Sequence, residues 1–115
     1  MQIQILENKI KEVSSRKDFK KDSLFYMANA YPEISRMLSF YDSGKIEAAE
    51  NAQKRSLGII DTILSFKDIL PAGREEWSVI KNFVLGYKVL DPYEKKILQN
   101  YAYPFSYKFM SQIQN

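Results

Sequence analysis

Glu47-Ala-Ala-Glu50 sets two carboxylates three residues apart, a spacing that on a helix puts both on one face within reach of a single hard cation. Carboxylates are the ordinary metal donors left to this chain, because its 115 residues contain neither histidine nor cysteine. That composition excludes zinc fingers, the usual haem and iron–sulfur ligands, cysteine nucleophiles and the Glu-x-x-His motif of di-iron bundles. Proton transfer near neutral pH would fall to a Glu, Asp, Lys or Tyr with a strongly displaced pKa. A serine nucleophile would need a lysine base. Ser14-Ser-Arg-Lys17 has the Ser-x-x-Lys spacing, but it lies in a charged, turn-like stretch without companion motifs.

Two other constellations suit binding rather than catalysis. Arg16-Lys17-Asp18-Phe19-Lys20-Lys21, with Lys9 and Lys11 upstream, is the densest basic stretch of a chain carrying 17 Lys and Arg against 14 Asp and Glu, a net charge of +3. Arg16, Lys17, Lys20 and Lys21 are therefore candidate phosphate contacts with Phe19 between them, and the plain alternative is a solvated loop between helices. Tyr101-Ala-Tyr103-Pro-Phe105-Ser-Tyr107-Lys-Phe109 alternates five aromatics over nine residues. On a strand they would line one face and stack bases. On a helix they scatter, with Tyr101, Phe105 and Phe109 inward, and Pro104 argues against an interior strand.

The Glu47 and Glu50 spacing is the one by which all-α nucleotide pyrophosphohydrolases hold Mg²⁺, and the chain resembles those enzymes in size and helix content. The resemblance implies an Mg-dependent nucleotide hydrolase, and that family needs a second pair, Glu-x-x-Asp, on a facing helix. Here Asp61 has Gly58 in the glutamate position, and Glu75 and Glu76 have no acid three or four residues on. The surrounding stretch from Phe40 also resembles helical hairpins of flagellar-export chaperones and tetratricopeptide units, which implies a helix-turn-helix and no particular activity.

These residues need helices to position them, and the hydrophobic period supplies five. Ile3, Leu6, Ile10 and Val13 line one face of a first helix from about Gln2 to Ser14. A second, capped by Asp22 or Ser23, turns Leu24, Met27, Ala28, Tyr31, Ile34, Leu38 and Tyr41 inward, with Tyr26, Ala30, Met37 and Phe40 as a further apolar strip. Pro32 is expected to kink or break it. Asp42-Ser43-Gly44 is a turn. The third helix runs to about Phe66 or Asp68 along Ala49, Ala52, Ser56, Ile59, Ile63, Phe66 and Leu70, and its small residues predict the tightest crossing. Glu50 is set to pair with Lys54 at i, i+4.

Pro71-Ala72-Gly73 is expected to end that helix, with a fourth from about Arg74 to Leu90 along Trp77, Ile80, Val84 and Tyr87 and with Glu75 and Glu76 in its first turn. Asp91-Pro92-Tyr93-Glu94 restarts the chain with a cap, a proline at the first helical position and an acid at the third. The last helix points Ile97, Leu98, Tyr101, Phe105, Phe109 and Ile113 inward and is kinked or divided at Pro104. The triplet Ala30-Tyr31-Pro32 is echoed in Ala102-Tyr103-Pro104.

The expected fold is all-α, a single domain over residues 1–115 built as an antiparallel bundle of four to five helices. The expected function is binding a macromolecular partner or self-association without catalysis or cofactor, through Tyr26, Met37 and Phe40, because the apolar arc of the second helix is wide for so small a bundle. The alternative is an RNA- or DNA-binding accessory protein using the basic loop, and a third reading is the Mg-dependent hydrolase. Charges at Glu7 and Lys9 interrupt any apolar leader and no later stretch reaches about 18 apolar residues, so a cytoplasmic protein without membrane insertion is expected.

Overall fold

Pro32 removes the N–H that would bond the Ala28 carbonyl one turn back, yet in the computed structural model the helix runs unbroken from Ser23 to Asp42. Ser106, on the last helix, donates its hydroxyl to the Ala28 carbonyl oxygen at 2.7 Å, inside the core. The acceptor that proline deprives locally is thus supplied from another element. Of the kink or break expected at Pro32 and at Pro104, the break does not occur: both prolines lie inside continuous helices, Pro104 on an exposed face.

The structure describes residues 3–113, so Gln2, the expected start of the first helix, lies outside the described residues. These residues form five α-helices: α1 (Ile3–Ser14), α2 (Ser23–Asp42), α3 (Ile46–Ser65), α4 (Pro71–Leu85) and α5 (Pro92–Ile113), with a 3₁₀ turn at Tyr87–Val89. No strand occurs among them.

The caps follow from the local sequence. The Asp22 side chain accepts from the Phe25 N–H at 2.9 Å. Asp91 and Glu94 form a reciprocal capping box, Glu94 N–H donating to Asp91 at 2.7 Å and Asp91 N–H to Glu94 at 3.0 Å. After α2, Gly44 takes φ +77°, and the Lys45 and Gly44 N–H groups bond the Phe40 and Tyr41 carbonyls, the two bonds of a Schellman turn.

The α3–α4 junction differs from the expectation. Pro71 starts α4 instead of stopping α3, because its fixed φ and missing donor suit the first helical position, and the extended Leu70 precedes it. Leu70, expected inside, is 75% exposed. Glu75 and Glu76 consequently stand in the second turn of α4, beyond the strongest reach of the helix dipole. The two helices cap each other through long polar side chains. Arg74 donates to the Leu64 and Phe66 carbonyls at the end of α3, and Gln53 donates to the Val84 carbonyl at the end of α4 at 3.1 Å.

Packing is organised around α2, which contacts α1, α3 and α5, while α4 lies on α3. The most extensive contact is α2 on α3, where Ala49, Ala52 and Ser56 are fully buried, as their small size predicts. Further along, Ile60 rather than Ile59 takes the inner position, and α5 buries Leu98, Ala102, Ser106 and Phe109 while Ile97 faces outward. Tyr31 and Tyr103, the central residues of the two Ala-Tyr-Pro triplets, meet edge to face at 5.2 Å across the α2–α5 crossing. A second apolar cluster of Leu6, Ile10, Val13, Phe25 and Phe109 seats α1, and Tyr26 and Tyr31 bridge it to the main core.

Ser106→Ala is expected to cost about 1–3 kcal/mol, the penalty for a buried acceptor left without its partner. In a Pro32→Ala background, where residue 32 regains an N–H, the same substitution should cost less. Urea unfolding of the four proteins of this cycle measures the difference, and additive effects would refute the compensation.

Candidate functional site

The apolar strip expected to form an interface lies largely inside the bundle. Met37 is 0% exposed and belongs to the core between α2 and α3, so it is not available to a partner on the folded chain. Tyr26 and Phe40 are half-buried against the same core, Tyr26 between the rings of Phe25 and Phe66 at 5.2 and 5.8 Å. The wide apolar arc of α2 exists because three helices pack on it, a tertiary fact that a single helix's periodicity does not reveal.

The basic residues Arg16, Lys17, Lys20 and Lys21 all lie exposed on the loop between α1 and α2. Phe19 does not stand among them as a stacking platform. It turns inward and meets Phe25 and Phe109 edge to face at 5.4 and 6.3 Å, anchoring the loop to the core. Arg16 sits 3.8 Å from Glu12, and Lys21 lies over the Phe25 ring at 5.8 Å.

Glu47 and Glu50 are exposed at the start of α3, and Glu50 pairs with Lys88 at 3.1 Å rather than with Lys54. Asp61 pairs with Lys81 at 2.7 Å. Among the described residues no three acidic side chains converge as a metal cluster would require. The aromatic run on α5 is divided around the helix: Tyr101 and Phe105 pack on Trp77, Phe109 on Phe25, and Tyr107 faces outward.

A polar network that periodicity could not disclose ties three helices together. Arg36 donates to Glu7 on α1 and to Glu33 on its own helix, while Arg55 on α3 donates to the other Glu33 oxygen at 2.8 Å. Burial, and secondarily the neighbouring Arg55, lowers the Arg36 pKa. The network fixes α1 and α3 against α2.

A concave feature lies elsewhere, between α4 and α5. A groove of about 450 Å³ has Ala72, Glu75, Glu76, Val79, Ile80 and Phe83 on its α4 wall and Ile97 and Tyr101 on its α5 wall. The walls are helical faces: Ala72, Glu76, Val79 and Phe83 recur at spacings of three and four, and Tyr93 extends the Ile97 and Tyr101 line by one turn. Val79 is 48% and Ile97 39% exposed, so the groove is open to solvent along its length. Beneath it Trp77 is fully buried, meets Tyr101 at 5.4 Å, and has an indole N–H without a hydrogen-bond partner, so packing alone holds it.

Tyr101 donates to Glu76 at 2.6 Å. Burial and then the Glu76 carboxylate push the Tyr101 pKa well above the ordinary tyrosine value. Neither Glu75 nor Glu76 forms an ion pair among the described residues, whereas Glu7, Glu33, Asp42, Glu50 and Asp61 each have a cationic partner. The result is an apolar channel with two uncompensated carboxylates. Periodicity points Ile97 and Tyr101 inward and sets Glu75 and Glu76 in a first helical turn. Tyr101 packs against the core as expected while Ile97 stays exposed, and nothing in the sequence points to the meeting of Tyr101 with Glu76.

Comparison with protein-family models, with curated proteins and with solved structures finds no match to this chain. No described helix is long and apolar enough to cross a membrane.

The raised Tyr101 pKa carries a stability consequence. A folded-state pKa above the unfolded value near 10 contributes stability that is full below about pH 10 and is lost as pH rises further. Urea midpoints of the native protein between about pH 9 and 11 should fall more steeply than those of Tyr101→Phe, and equal slopes would refute the role given to the Glu76 contact.

Proposed function

We propose that this protein is a non-catalytic interaction module of the cytoplasm that docks a helical segment of a partner protein in the α4–α5 groove. The observation that carries this reading is the groove itself: two helical walls, from α4 and α5, with Val79 and Ile97 exposed on them. Absence of histidine and cysteine, together with the ion pairing of Glu50 with Lys88 and of Asp61 with Lys81, favours binding over catalysis.

Val79→Asp combined with Ile97→Asp places charge on this surface at positions where folding tolerates it, since exposed substitutions away from caps and networks typically change stability by about 0.5 kcal/mol or less. In affinity capture from native lysate, a partner held by the unmodified chain and by a Lys54→Glu control should be lost by the double variant, with helical circular dichroism unchanged. Equal capture by all three proteins refutes the groove as the docking surface.

A second reading, nucleic-acid binding, draws on the exposure of Arg16, Lys17, Lys20 and Lys21 on one anchored loop. Such binding would be electrostatic and indifferent to sequence. Single-stranded RNA affinity should then fall with salt at a log–log slope near −3, about −0.7 for each of four phosphate contacts, and Lys20→Glu with Lys21→Glu should remove about half of that slope. Fluorescence anisotropy at low salt is the test, and no binding at about 10 μM protein eliminates this reading.

A further inference from the structure

Resting on the groove-docking reading above, we infer that the occupant is a cationic amphipathic helix of about three turns, with lysine or arginine reaching Glu75 and Glu76. The α4 wall from Ala72 to Phe83 runs for roughly 16 Å at 1.5 Å per residue, which sets the length of helix that can lie along it. Both walls present side chains at i, i+4 ridges, and a helix laid between them meets each wall by the same packing that joins the bundle's own helices. A small ligand would leave Val79 and Ile97 wet on their outer side. A helix covers both and completes the bundle at its open corner.

The charge follows from Glu75 and Glu76. They stand in the second turn of α4, where the helix dipole offers them little, and no lysine or arginine of the described residues pairs with either. Tyr101 already holds one Glu76 oxygen, which fixes that carboxylate beside the apolar floor. An anionic or purely apolar segment would bury these two charges uncompensated, whereas a cation at the edge of the segment pairs with them.

Trp77, the only tryptophan, meets the groove-lining Tyr101 ring at 5.4 Å, so its emission is the readout of occupancy. The probes are two synthetic helical peptides of about 14 residues lacking tryptophan, one with leucine at i, i+3, i+4 and i+7 among lysines, the other with glutamate in place of each lysine. The leucine–lysine peptide should shift Trp77 emission saturably. Glu75→Gln with Glu76→Gln should weaken it about three- to tenfold, and added salt should do the same. No saturable shift at about 100 μM, equal binding of the glutamate peptide, or an unchanged affinity for the double glutamine variant each overturns the cationic-helix assignment. Sedimentation showing a dimer that Val79→Asp dissociates also overturns it, by giving the groove to a second copy. Loss of a lysate partner on Val79→Asp with Ile97→Asp is independent of these results, so groove docking can survive where the cationic occupant fails.

Discussion

The bundle turns on a hydrogen bond from the Ser106 hydroxyl to the Ala28 carbonyl. α2 is the axis of the fold, and Pro32 stands near its middle, where it withholds the one donor that Ala28 would use within the helix. Orphaning a buried carbonyl costs free energy comparable to a lost hydrogen bond. Because Ala28, Ala102 and Ser106 are all small, α5 approaches closely enough for a side-chain hydroxyl to reach the main chain of α2. The same closeness brings Tyr31 against Tyr103. With α2 continuous, one helix presents Phe25 and Ala28 to the α1 end of the molecule and Ile34, Met37 and Leu38 to the main core.

The open corner is a consequence of how the remaining helices are anchored. α4 is tied to α3 by mutual capping, Arg74 reaching one helix end and Gln53 the other, and α5 is tied to α2. α4 and α5 meet mainly through the aromatic contact of Trp77 with Tyr101 and Phe105 at the base of the gap. Val79 and Ile97, on the two walls beside these contacts, remain exposed. The groove lies between these two helices, with Glu75 and Glu76 along its α4 wall.

Much of the fold was legible in the chain because the deciding interactions are local. The caps at Asp22 and Asp91, the turn at Gly44, and the inward line of Trp77, Ile80, Val84 and Tyr87 depend on residues within four positions of one another. Pro71 misled for the same reason. A proline is as good an initiator as a terminator, and only the mutual capping of α3 and α4 shows which role it takes.

The all-α class, five helices and the absence of imidazole and thiol chemistry were fixed by residue types and their period, because helical periodicity and composition need no knowledge of neighbours. Which apolar residues remain outside was decided by tertiary structure alone. Met37 reads as a surface strip until neighbouring helices cover it, and Ile97 reads as core although the bundle leaves it exposed. Hydrophobicity along a helix records how many partners it has room for, while the number it receives depends on the distances that side chains on other elements impose.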